Sequence, residues 1–164
     1  MSDYPVMFTL RDAVSGNGYL AGVTVSGRAT VRLKEDGKWW MHGVRPSGIS
    51  APGSTPEEAF LRFRETYKYV LFDLAQESET YEDFRSAVEA LYIQRNEVEE
   101  ECWESAFKAM RTGGVPTDGY FATLPKQAPE TRPTQYTVER LDQPDSKFKP
   151  TDNVPDYLAL PKAA

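Results

Sequence analysis

Five glutamates crowd one short stretch of this chain: Glu97, Glu99, Glu100, Glu101 and Glu104. On a helix of 3.6 residues per turn, Glu97, Glu101 and Glu104 share a face, and Glu100 lies next to it. Converging carboxylates can hold a divalent metal or divide acid and base roles between them. Here Lys108 follows Glu104 by four residues, Arg95 is close by, and no histidine joins the group. That favours a solvated helix face, or a docking surface for a basic partner, over a metal-dependent enzyme. Other chemistries lack their parts. His42 is the single histidine and alternates along a strand-like run between Met41 and Gly43, so it reads as a structural residue rather than a base. Cys102, the single cysteine, falls on the apolar side of its helix and reads as a small buried hydrophobe. One of each falls short of a zinc ligand set. Neither glycine-rich phosphate motif occurs. The expectation is a protein that is not an enzyme and uses no cofactor or metal.

The elements that must position these residues fall into three zones. Residues 5–53 read as strands. Val6–Val14, Tyr19–Val25, Arg28–Lys34 and Trp39–Val44 are β-prone, and Ile49–Ala51 can add a fifth. Ser15-Gly16-Asn17-Gly18 and Glu35-Asp36-Gly37 supply hairpin turns, and Ser26-Gly27 marks a bend or bulge. Ala29, Val31 and Leu33 alternate with Arg28, Thr30, Arg32 and Lys34, which predicts a sheet with one wet face. Trp39 and Trp40 are adjacent and so point to opposite faces. One can enter the core, and the other becomes a candidate hot spot for binding.

The second zone is helical. Thr55-Pro56-Glu57-Glu58 is a capped start, and Phe60, Phe63, Tyr67, Val70 and Leu71 predict a core-facing stripe over 56–75. Thr80 with Asp83 opens a second helix over 81–111, on which Val98 and Cys102 belong to the apolar side. Near Asn96 the stripe thins, where a kink or split fits. The third zone, 112–164, holds eight of the twelve prolines. That density argues against regular helix or a central strand. Spaced anchors, among them Tyr120, Phe121, Tyr136, Phe148 and Tyr157, suit an extended path across a folded surface, the chain's own or a partner's; the alternative is a flexible tail. The expected organisation is therefore an α+β domain over 1–111 with a proline-rich extension over 112–164. Its sheet is antiparallel, of four to five strands, with one helix on a face and a second long helix.

Charge narrows the partners. A net charge of −6 over 164 residues argues against a nucleic-acid surface or an anionic membrane, and suits a basic protein. A lone cysteine forms no internal disulfide, which points to a reducing, cytoplasmic setting. Met1–Pro5 shows no secretory signal, and no run approaches the roughly 18 apolar residues of a membrane span.

Residues 31–75 carry a resemblance. Val31-Arg32-Leu33-Lys34-Glu35-Asp36-Gly37-Lys38-Trp39-Trp40, followed by Gly53-Ser54-Thr55-Pro56-Glu57-Glu58-Ala59 and an amphipathic helix, is similar to the HicB antitoxin family. The resemblance implies a small sheet with a helix on one face, a partial ribonuclease H-like fold. It also implies a homodimer or higher homo-oligomer that neutralises a small basic ribonuclease toxin. Two features depart from the family's pattern. A hairpin precedes the matching part, and an acidic helix and proline-rich tail stand where a DNA-binding module belongs. A structural component assembling through the 81–111 helix and the tail is the alternative expectation.

Overall fold

The first two strands form one long hairpin. In the computed structural model, which describes residues 3–113, 119–142, 148 and 156–160, β1 is Asp3–Ser15 and β2 is Leu20–Leu33. They pair antiparallel from Asp3 opposite Arg32 to Ser15 opposite Leu20. Strand alternation puts Tyr4, Val6, Phe8 and Leu10 into one core and Met7 into another, on the opposite face. Ser26-Gly27 does not end β2 but marks where it changes neighbours. Residues 21–26 pair with one later strand and residues 28–33 with β3, Trp39–Arg45. Glycine is required there, since a Cβ on Gly27 would lie 2.1 Å from the Arg45 carbonyl oxygen. β4, Ser47–Gly53, pairs with β3 and ends the sheet on that side.

The helices start where their caps dictate. α1 is Pro56–Glu77, with Thr55 accepting a hydrogen bond from the Glu58 amide at 3.1 Å. It buries Phe60, Phe63, Tyr67 and Leu71 as the spacing predicts, and Val70 is half-buried. α2 is Tyr81–Ile93, capped by Thr80 through the Asp83 amide at 3.1 Å. The long 81–111 helix is split near Asn96, whose side chain caps α3, Glu97–Arg111, through the Glu99 amide at 3.1 Å. The split resets the helical phase. α2 buries Phe84, Val88 and Tyr92, whereas α3 buries Trp103, Ala106 and Met110. Val98, expected on the shared stripe, is therefore 68% exposed, and Cys102 is half-buried.

The sheet is larger than expected, and mixed. Three further strands come from the proline-rich zone: β5, Lys126–Gln127; β6, Gln135–Arg140; and β7, Tyr157–Ala159. The order is β4-β3-β2-β1-β7-β5, with β6 beside β2, giving seven strands among the described residues instead of four to five antiparallel ones. β5 runs parallel to β7, and the remaining pairs are antiparallel. β7 thus has neighbours on both sides despite the prolines around it. It is three residues long and fits between Pro155 and Pro161, so no proline interrupts its ladder.

Of the two paths open to 112–164, the described residues follow the chain's own fold. A short helix α4, Tyr120–Thr123, brings Phe121 against Tyr4, ring centroids 3.6 Å apart and nearly parallel. Phe121, Leu124, Leu158 and Ala159 are buried. Among the described residues no helix is long and apolar enough to cross a membrane.

The face expected to be wet is partly covered. α1 and α2 pack on the Val6–Phe8 side, and α3 packs on the Met7 side, where Thr30 is fully buried. Two arginines of that face explain the covering. Arg32 meets Glu99 at 3.2 Å, and Arg28 reaches Glu104 at 3.9 Å, so a basic strand stripe receives the acidic helix. Their aliphatic stems supply apolar contact beneath the charges.

Candidate functional site

Trp103 anchors α3 to the sheet. Its indole N–H donates to the Val6 carbonyl at 3.3 Å, Phe107 stacks on it at 5.5 Å, and the Arg28 guanidinium lies 4.4 Å over its ring. Beside this anchor a groove of about 780 Å³ opens between α3, Arg28 in the interior of β2 and the end of β3. Glu97, Glu100, Glu101 and Glu104 all line it, so the four glutamates singled out in the sequence converge on one site.

Those glutamates are not equivalent. Glu100 is clamped by Arg95 through two bonds of 3.1 and 2.8 Å, which hold its carboxyl below its ordinary pKa. Glu104 has the long contact to Arg28. Glu97 and Glu101 are exposed and make no ion pair among the described residues. The strand wall is basic, with Arg28 of β2 and Arg45 of β3, and Lys108 adds a cation on the α3 side. The Nε atoms of Arg28 and Arg45 are buried without a hydrogen-bond partner among the described residues. Arg45 also stacks over Tyr92 at 5.0 Å. The groove therefore offers an acidic rim to cations and a basic strand wall to acceptors such as main-chain carbonyls. Among the described residues no three His, Cys, Asp or Glu side chains converge as a metal's ligands would.

The basic wall was missed in the sequence, although a signal existed. Arg28 and Arg32 alternate on one strand face, and a glutamate run recurs at helical spacing downstream. Complementary stripes of that kind can pair.

The two tryptophans part as predicted. Trp39 turns toward Tyr4 and Phe121, at 6.3 and 5.6 Å. Trp40 lies on the α3 side of the sheet, outside the groove lining, half-buried, with Lys34 over its ring at 4.7 Å and its N–H donating to Asp36 at 3.2 Å. It stacks on His42 at 5.8 Å. His42 Nδ1 lies 2.8 Å from Ser50 Oγ, while its buried Nε2 has no hydrogen-bond partner among the described residues. A neutral imidazole beside a hydroxyl is the first contact of a hydrolytic dyad, but among the described residues no carboxylate is hydrogen-bonded to the imidazole to orient it.

The tail anchors meet the chain itself. Tyr120 packs edge-on to Phe60 at 5.3 Å, and Tyr136 lies 4.8 Å from Tyr92. Phe148 covers Gly22 so closely that a Cβ there would come within 2.8 Å of its ring. Tyr157 sits under Arg132 at 4.0 Å. No protein-family model, no curated protein and no solved structure matches the chain.

Proposed function

We propose that this chain is a non-catalytic protein-binding module whose α3 groove receives a basic segment of another protein. One observation carries this reading: Glu97 and Glu101 stand exposed and, among the described residues, without a salt bridge on the rim of a groove whose other acids are already matched. The net charge of −6 supports the same sign of partner, because complementary fields speed encounter and reject like-charged competitors. The guanidinium groups of Arg28 and Arg45, which line the strand wall, suit the main-chain carbonyls of such a segment. The finer reading, a HicB-like antitoxin on a partial ribonuclease H-like core that neutralises a small basic ribonuclease, rests on the resemblance of residues 31–75. The single cysteine supports a cytoplasmic setting.

The test uses charge reversal. Glu97→Lys with Glu101→Lys should slow association with a stoichiometric partner from the native host more than it speeds dissociation. Raised salt should mimic the change. A partner whose on-rate ignores both changes would sink the reading, as would the absence of any stoichiometric partner. For the finer reading, the chain must abolish the ribonuclease activity of that partner.

Self-association is the second reading, favoured by β4, which among the described residues ends the sheet with no strand beyond it. Light scattering on the purified chain distinguishes the two: a closed oligomer in the absence of any partner supports assembly.

A further inference from the structure

The face of the sheet that carries α3 is only partly covered by it. Beyond Met7 and Arg28 the same face continues with Thr9 opposite Ser26 and Arg11 opposite Thr24. A second cavity of about 370 Å³ lies over these side chains, lined also by Gln127 of β5 and by Arg132 beyond it. Its lining is unlike the rest of this acidic chain: among the described residues it has two arginines with hydroxyls and side-chain amides, and no aspartate or glutamate. Every lining side chain except Pro133 can donate a hydrogen bond, and none carries negative charge.

Arg132 is held ready in this cavity. Its Nε donates to Gln127 Oε1 at 2.8 Å, one terminal nitrogen donates to Thr9 Oγ1 at 3.1 Å, and its guanidinium lies 4.0 Å over the Tyr157 ring. None of these partners is a carboxylate, so among the described residues the charge is oriented without being neutralised by an ion pair. Thr9 is itself buried, at 6% exposure, and also bonds Ser26 Oγ at 3.2 Å. A planar guanidinium fixed in place loses little freedom when it captures an oxyanion, and its paired donors match phosphate or carboxylate oxygens.

We propose that this cavity, built on Arg132, Arg11, Thr9, Thr24 and Ser26, is an oxyanion-binding site that takes the phosphate or carboxylate group of a small ligand. It is separate from the α3 groove and does not depend on the reading given for that groove.

The test follows backbone amide resonances of the full chain during titration with inorganic phosphate and, separately, with acetate. Sodium chloride at matched ionic strength is the control for screening. Saturable shifts confined to Thr9, Thr24, Ser26 and Arg132 are expected with at least one oxyanion, and which anion binds more tightly separates phosphate from carboxylate ligands. Arg132→Gln should weaken that binding roughly tenfold, the loss of one charge-assisted hydrogen bond. Thr24→Val removes a lining hydroxyl without touching the contacts of Arg132, so it serves even if the arginine variant is misfolded. Its binding should also weaken. Shifts that fail to saturate, that chloride reproduces, or that persist unchanged in Thr24→Val would overturn the proposal.

Discussion

Burial of an imidazole between a tryptophan and a strand has a measurable cost in acid. Desolvation, ahead of the nearby charges of Lys34 and Arg32, lowers the His42 pKa from 6.5 to about 4, and Asp3 opposes the shift. A lowered folded pKa means that the unfolded chain takes up the proton first. The contribution of His42 to stability is therefore complete above pH 6.5 and is lost as pH falls toward about 4. Unfolding free energies measured across that window should decline more steeply for the parent than for His42→Gln. Carboxylates titrating in the same range act on both proteins, so the difference between the curves isolates the histidine. Parallel curves would show that the ring is as hydrated folded as unfolded. At Trp103 the expected effect is larger. Trp103→Ala should cost about 3–5 kcal/mol in chemical denaturation, because the ring joins the Val6 carbonyl, Arg28 and Phe107. A loss near the roughly 0.5 kcal/mol of a surface substitution would mean that α3 is held by something else.

Helix ends are the elements most plainly written in this chain. Thr55-Pro56 and Thr80 state their caps by residue type, and the thinning stripe near Asn96 marks the break between α2 and α3. Asn96→Ala should destabilise the fold by about 1 kcal/mol, because the Glu99 amide loses its acceptor; Asn96→Ser should restore most of it. Equal stability of the two variants would show that the break is enforced by packing rather than by the cap. The facing of α3 was harder to read. Val98 continues the spacing of α2, yet three intervening residues rotate the register, and a stripe counted across them fails. The small strands were illegible for another reason. β5 has two residues and β7 three, too few to display a period, and their ladders depend on neighbours distant in sequence. The candidate groove was half legible. Its acids stand in one run, but its arginines come from two strands and a loop that only tertiary structure brings together.

At the scale of the whole molecule, the proline-rich zone is an organ of the fold. Phe121, Leu124, Leu158 and Ala159 are each 8% exposed or less. Full burial of a Phe or Leu side chain is worth about 1.5–3 kcal/mol, against a net stability of about 5–15 kcal/mol for a typical domain. A chain ending at Gly113 should therefore unfold at a much lower urea concentration than the full chain, with a broader transition. An unchanged midpoint would make the tail a passive layer. The pairing of Val6 with Leu158 carries a further consequence for synthesis in the cell. The outer edge of β1 leaves the ribosome early, but its neighbour β7 is made roughly 150 residues later, on the order of ten seconds at ordinary translation speeds. Throughout that interval the nascent chain displays an unpaired strand edge, the template on which polypeptides aggregate. Crowded polysomes producing this protein should therefore depend on a holdase chaperone until β7 emerges.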